Sequence, residues 1–266
     1  MSVPHIDTKS LFDVKGKSAL IIGATGAFGQ VACSVLGSAG AKLTITAGNG
    51  DKLSALEGEL ASMGMTATAV AKRPNTEDDC DAIIAAAVKA YGRVDILVVA
   101  AGVNDVAPIV EMSLERFQKV MLANTEGAWL IARAAGAQMI KQGGGGKVVF
   151  TSSARGKLGH PAGYAAYCTS KSAIDGMTKA LGCEWGKEGI TVNAIAPTVF
   201  RSPLTAWMFA DDEKAIAVRK GFLARVPVGR LGEPEDLAGP LLFLCSQASN
   251  FHTGHIVYPD GGYTAG

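Results

Sequence analysis

The sequence predicts an α/β fold, a doubly wound parallel sheet of about seven strands with helices on both faces. Two observations carry this. Apolar runs of about five residues alternate with longer helix-period segments along the chain, the pattern of a parallel sheet buried on both sides. A glycine-rich turn, Gly23-Ala24-Thr25-Gly26-Ala27-Phe28-Gly29, follows the first apolar run and precedes a helical segment. In that order, backbone N–H groups and the positive helix end face a dinucleotide pyrophosphate, as in a Rossmann-type fold.

The strands fall at 18–22, 42–46, 67–71, 96–100, 147–151, 191–195 and 255–257. Helices begin after Gly26, near Lys52, at Thr76, at Ser113, near Tyr164 and at Glu233. Asp51 reads as the cap of the helix at Lys52. Thr76, with Asp79 three residues on, caps the next, and Pro234 suits a first helical turn. The glycine run 143–146 joins the long helix to the fifth strand, as a flexible connection in preference to an anion-wrapping loop. Segment 202–222 breaks the alternation and carries Leu204, Trp207, Met208, Phe209 and Phe222. That content suits a bulky hydrophobic substrate, and equally a core or a subunit contact.

At 266 residues and 27.3 kDa the chain predicts one domain over 1–266, with 1–14 as an N-terminal extension. A net charge of +1 with both signs scattered leaves no basic stripe for nucleic acid, so a small molecule is the expected partner. Residues 1–10 lack the apolar core of a signal peptide, and no run reaches the roughly 18 apolar residues of a membrane span. A cytoplasmic protein is expected.

Cys33, Cys80, Cys168, Cys183 and Cys245 include no C-x-x-C pair, which argues against a zinc site or a disulfide framework. Cys168 reads as packing in preference to a nucleophile, and His160 as a solvated loop residue in preference to a substrate contact. His252 and His255 have no partners at metal spacing, and no metal is expected.

The chemistry concentrates in Tyr167-Cys168-Thr169-Ser170-Lys171, inside a helix-forming segment. A four-residue offset on a helix sets phenol and ammonium side by side, and a cation that favours the phenolate makes a tyrosine a usable acid or base near neutrality. Ser152 and Ser153 follow the fifth strand, and Asn124 lies in the helical stretch before it.

With these residues assembled, the chain resembles the short-chain dehydrogenase/reductase family, from Lys15-Gly16-Lys17 to Tyr258-Pro259-Asp260-Gly261-Gly262. The resemblance implies Asn124, Ser153, Tyr167 and Lys171 as the catalytic set. In that family Ser and Tyr bind the alcohol or ketone oxygen and Tyr exchanges the proton, while a nicotinamide exchanges the hydride. The resemblance also gives Lys171 the ribose hydroxyls and a lowering of the tyrosine pKa, and gives Asn124 a water linking Lys171 to solvent. Ser153 precedes Tyr167 by fourteen residues, one more than is usual in the family, and a longer loop around His160-Pro161-Ala162-Gly163 accounts for it.

The implied cofactor contacts are Gly23, Thr25, Gly26, Phe28 and Gly29 in the turn, and Gly48 and Asn49 after the second strand. Arg73 and Pro74 follow the third strand, Ala101 and Gly102 the fourth, and Pro197, Thr198, Val199 and Ser202 the sixth, joined by Tyr167 and Lys171. Several positions depart from the family pattern. Ala27 stands where the second glycine is usual, Ile22 where a threonine is common, and Ala47-Gly48 where an acid or a base normally reads the adenosine ribose. Arg73 replaces an adenine-contacting Asp, and Thr198 a glycine.

Without an acid to repel a 2′-phosphate or an obvious base to select it, NAD and NADP are both admitted. Losing one charged ribose hydrogen bond costs about 1.5–3 kcal/mol, which weakens binding without abolishing it. The preferred reading is therefore an NAD(P)-dependent oxidoreductase acting on a secondary alcohol or ketone. Its rivals are a cofactor-poor subunit that assembles with an active homologue and an epimerase or dehydratase of the extended branch. By resemblance, a homo-oligomer, a dimer or tetramer, is expected, and a hetero-oligomer under the subunit reading.

Overall fold

The structure, a computed structural model, describes residue 3 and residues 5–266. Strands β1 Ser18–Ile22, β2 Lys42–Thr46, β3 Ala67–Val70, β4 Ile96–Val99, β5 Gly146–Thr151, β6 Ile190–Ile195 and β7 Ile256–Val257 form one parallel sheet in the order β3-β2-β1-β4-β5-β6-β7. Because side chains alternate along a strand, this sheet has two cores. Ala19, Ile21, Leu43, Ile45, Ile96 and Val98 face one side, where they meet helices α2 Ala27–Ser38, α3 Gly50–Ser62 and α10 Glu235–Cys245. Leu20, Ile22, Leu97, Val99, Val148 and Phe150 face the other, against α4 Glu77–Tyr91, α6 Gly127–Gln142 and α8 Ala165–Glu184. Burying each such aliphatic side chain contributes roughly 1.5–3 kcal/mol.

The strand order reverses between β1 and β4, and the chain must therefore part at their carboxyl ends. That crevice is where a doubly wound sheet receives its ligand. Among the described residues no helix is long and apolar enough to cross a membrane.

Several boundaries differ from those expected. Ala71 and Ala100 lie outside their strands, Gly146 and Ile190 lie inside theirs, and His255 precedes β7. Helix α3 starts at Gly50, because Asn49 Oδ1 accepts the Lys52 amide at 2.9 Å; Asp51 sits in the first turn and does not cap it. The helix from Ser113 is not continuous: α5 Leu114–Met121 and α6 are joined through a π-helical turn, Leu122–Glu126.

Segment 202–222, which the family resemblance makes the loop that closes over substrate, is largely helical. It forms a 3₁₀ turn, Ala206–Phe209, and most of α9 Glu213–Leu223, capped by Asp212 and tied back by Arg219, which donates to the Met208 and Ala210 carbonyls at 2.9 Å each. The short helices α1 Thr8–Leu11 and α7 Ala154–Lys157 were not legible in the pattern.

Candidate active site

Three elements converge at the end of β5. Ser153, two residues past the strand, caps α7, its Oγ accepting the Arg155 amide at 3.2 Å, and the Ala154 amide is held by the Pro197 carbonyl at 3.0 Å. Across from it, α8 carries Tyr167, Lys171 and Asp175 one turn apart. The Tyr167 side chain is half-buried, and the Ser153 hydroxyl lies beside its phenol.

Burial of the phenol raises its pKa, and the neighbouring Ser153 hydroxyl and the Arg155 charge pull it back only in part. The expected lowering by Lys171 is thus not what this arrangement gives. Lys171 is itself buried, its Nζ 5.6 Å from the Tyr167 ring centre and donating to the Thr151 carbonyl at 2.7 Å. Desolvation brings its own pKa down to about 8, opposed by the Asp175 charge.

Asn124, fully buried in the π-helical turn, is a strut. Its Oδ1 accepts the Val103 amide at 2.7 Å, and its Nδ2 donates to the Val103 carbonyl and to Ser170 Oγ, both at 2.9 Å. Ser170 Oγ in turn donates to the Tyr167 carbonyl at 2.8 Å, so the loop after β4 is fastened to the helix bearing the tyrosine. Ser152, beside Ser153, turns the other way and donates to the buried Asp175 carboxyl at 2.5 Å. Cys168 is half-buried, with Sγ 3.8 Å from the Leu158 carbonyl, and its thiol pKa is raised by burial, as suits packing.

Beside this cluster a cavity of about 360 Å³ runs along the carboxyl ends of β1, β2 and β4. It gathers Gly23, Thr25, Gly26, Gly48, Arg73, Pro74, Ala101 and Gly102 of the expected cofactor contacts. Gly23 has φ 79°, and a β-carbon there would sit 2.7 Å from the Ala101 backbone, so the turn admits only glycine. No side chain caps the first turn of α2 behind it, which leaves that helix end to an anion. Gly102 closes the link to the catalytic cluster, its vacant β position 3.5 Å from Lys171 Nζ and 3.3 Å from Asn124 Oδ1. The walls add Lys72, Lys119 and Asn75 and include no acid. These residues suit a dinucleotide.

Other expected contacts lie elsewhere. Phe28 is buried in the core beneath the turn, and Gly29 packs α2 onto Ala24. Asn49 is an exposed helix cap. Thr198 and Val199 line a separate cavity of about 250 Å³ with Arg230 and Asp236, and Ser202 lines another against α2, its Oγ 2.8 Å from Thr205 Oγ1. Residues after β6 point away from the main cavity because the backbone turns at Phe200 to bridge Gly232.

Sequence reasoning passed over Lys72, Asp175, Arg155, Arg225 and Tyr263. Only Arg155 carried a signal, its place two residues after Ser153. His160 is half-buried, with its ring 4.4 Å from that of Tyr164, which meets Tyr167 edge-on at 6.4 Å.

A parallel sheet wound in this order, with a tyrosine and lysine on the helix beside a glycine-lined cavity, defines a nucleotide-dependent oxidoreductase fold. The profile described as Enoyl-(Acyl carrier protein) reductase matches residues 23–264. The chain belongs to the short-chain dehydrogenase/reductase family. It is 51% identical to the uncharacterized oxidoreductase Rv1714 of Mycobacterium tuberculosis, over 96% of this chain and 93% of that protein. It is 34% identical to D-threitol dehydrogenase of Mycolicibacterium smegmatis, over 95% of each. Among solved structures, gluconate 5-dehydrogenase of Burkholderia cenocepacia in complex with NADP and tartrate superposes with a TM-score of 0.90 at 29% identity, over 98% of this chain and 100% of that one.

Proposed function

We propose that this protein is an NAD(P)-dependent dehydrogenase/reductase that interconverts a secondary alcohol and a ketone. The observation that carries the reading is the Tyr167 phenol beside Ser153, with the Lys171 ammonium one turn beneath it and the glycine-lined cavity alongside. When bound, the nicotinamide supplies or accepts the hydride. The chain does the rest. Ser153 and Tyr167 hold the substrate oxygen, and Tyr167 donates its proton to that oxygen in reduction and takes it back in oxidation.

Lys171, with a pKa of about 8, is protonated at neutral pH and holds positive charge against the phenol and the Gly102 edge of the cavity. Asn124 keeps the β4 loop and α8 in register. Acid–base help of this kind is worth about a hundred- to ten-thousand-fold in rate. Gly23, Gly26 and Thr25 would take the pyrophosphate, and Gly48, Arg73 and Pro74 the adenosine end. The cofactor is NAD or NADP, and Arg73 inclines it to NADP.

The cofactor-poor subunit reading finds no support, since the cavity is open and the catalytic set is assembled beside it. Titration with NADPH and NADH, followed by nicotinamide fluorescence, tests the assignment together with Tyr167→Phe. Binding retained and turnover lost in that variant is the expected result. Full turnover without the phenol, or no binding at millimolar cofactor, would remove the reading.

A further inference from the structure

Arginine pairing across the fold is uneven. Six of the nine arginines have a carboxylate within ion-pair distance: Arg93, Arg116, Arg133, Arg201, Arg219 and Arg230. Among the described residues Arg73, Arg155 and Arg225 have none. Arg73 faces the cofactor cavity. The other two meet at the opposite end of the site.

Arg155 Nη2 and Arg225 Nη1 donate to one neutral acceptor, the Tyr263 hydroxyl, at 2.9 and 3.0 Å. Both guanidinium groups also lie over the Tyr263 ring, at 5.4 and 4.4 Å. Tyr263 is buried and stacked on Phe222 at 5.0 Å, so it is a fixed post against which the two cations are held, Arg155 also donating from Nη1 to the Gly159 carbonyl at 2.9 Å. Two like charges held to one uncharged oxygen repel, and no acid of the fold relieves them. Asp260, three residues from Tyr263, has both oxygens on the Gly262 and Thr264 amides at 2.9 Å. Asp175 is engaged by Ser152. Planar guanidinium forks of this kind match a carboxylate in two-point fashion.

The pair stands at the reacting groups. Arg155 stands two residues after Ser153, its amide bonded to Ser153 Oγ, and the Gly159 carbonyl that its Nη1 holds is next to His160. The His160 ring, its pKa lowered by burial and then by the Arg155 and Arg225 charges, lies tilted 4.4 Å from that of Tyr164, which meets Tyr167 edge-on at 6.4 Å. By contrast, the apolar residues that suggested a hydrophobic substrate are committed or turned outward: Phe222 packs on Tyr263, Met208 is buried, and Leu204 and Trp207 are exposed.

We propose that the substrate is a hydroxy acid, or the corresponding keto acid, whose carboxylate is received by Arg155 and Arg225 while its hydroxyl or carbonyl oxygen meets Ser153 and Tyr167. This rests on the proton-transfer reading of Tyr167 given above. The carboxylate takes no part in the redox step; it fixes which carbon is presented.

Calorimetric titration of the full chain with NADPH present, which cannot accept a hydride from an alcohol, tests this without turnover, using matched pairs of equal carbon chain: D-gluconate against D-sorbitol, tartrate against threitol, and 3-hydroxybutyrate against 1,3-butanediol. At least one acid should bind tenfold or more tighter than its neutral counterpart. Arg225→Gln should weaken that acid at least tenfold, and it removes an exposed side chain whose loss leaves the fold intact. Arg155→Gln should do the same, with Arg155→Lys between. Acids that bind no better than their alcohols, or binding untouched by both substitutions, would overturn the proposal. If Tyr167→Phe retains turnover while acids still bind through the arginines, the catalytic reading fails and the anion site stands. If Tyr167→Phe is inactive and the acids show no preference, the reverse holds.

Discussion

The Arg73 guanidinium lies against Gly48, so near that a β-carbon on Gly48 would meet its Cζ at 2.7 Å and its Nη2 at 2.8 Å. The glycine after β2 therefore leaves room for a cation from the end of β3, which under the proposed function would cover the position beside the adenosine ribose. Replacing Arg73 with Met should weaken NADPH about tenfold or more, the value of about 1.5–3 kcal/mol for a charge-assisted hydrogen bond, and leave NADH within about twofold. Gly48→Ala should do likewise by displacing the guanidinium. Fluorescence titration of both coenzymes reads the outcome, and equal losses for the two would deny Arg73 this role.

Leu114 on α5 and Trp129 and Ile140 on α6 are large apolar side chains left exposed. Exposed apolar side chains of this size fit the oligomer expected by resemblance. Sedimentation velocity should show a dimer or tetramer, and Leu114→Glu with Trp129→Glu should shift it to a smaller species. Unchanged mass in the double variant would place the contact elsewhere.

The sheet was legible because a parallel strand buried on both faces leaves an uninterrupted apolar run, as at 18–22 and 96–99. The catalytic cluster was legible because one helical turn fixes Tyr167 against Lys171. What escaped was of two kinds. Local capping competition decided α3, where Asn49 outranks Asp51 since only its side chain reaches the Lys52 amide. Long-range convergence decided the rest: Arg155 and Arg225 are 70 residues apart and meet only through Tyr263, while Arg73 and Gly48 meet only because β3 lies beside β2. No periodicity carries such contacts.

Ser152 shares no chemistry with its neighbour Ser153, and its test is one of stability. Its hydroxyl is the hydrogen-bond partner of a buried Asp175 carboxyl whose pKa burial raises and Ser152 lowers. Ser152→Ala strands that group at a cost of about 1–3 kcal/mol. A carboxyl with a raised folded pKa keeps its proton where the unfolded chain has lost it, so stability falls as pH climbs through that interval. The variant raises the folded pKa further. Its deficit should thus grow between pH 4 and 7 in urea unfolding, and a deficit independent of pH would separate Ser152 from Asp175.

Lys171 runs in the opposite sense. Its folded pKa of about 8 lies below the ordinary lysine value because the ammonium is desolvated. Between about pH 8 and the unfolded value of about 10.4, the unfolded chain holds a proton the folded one has released, and raising the pH favours the fold. Below about pH 8 both states are charged and the whole penalty, roughly 3 kcal/mol, is in force. Lys171→Met removes that penalty together with the hydrogen bond to Thr151. At pH 7 the variant should be the more stable protein, though an inactive one, and its advantage should shrink steadily as the pH is taken from 8 to 10. Urea unfolding of the two proteins side by side measures this. Parallel stability curves across that range would mean that Lys171 keeps an ordinary pKa, and that the charge beside Tyr167 is not held against a desolvation cost.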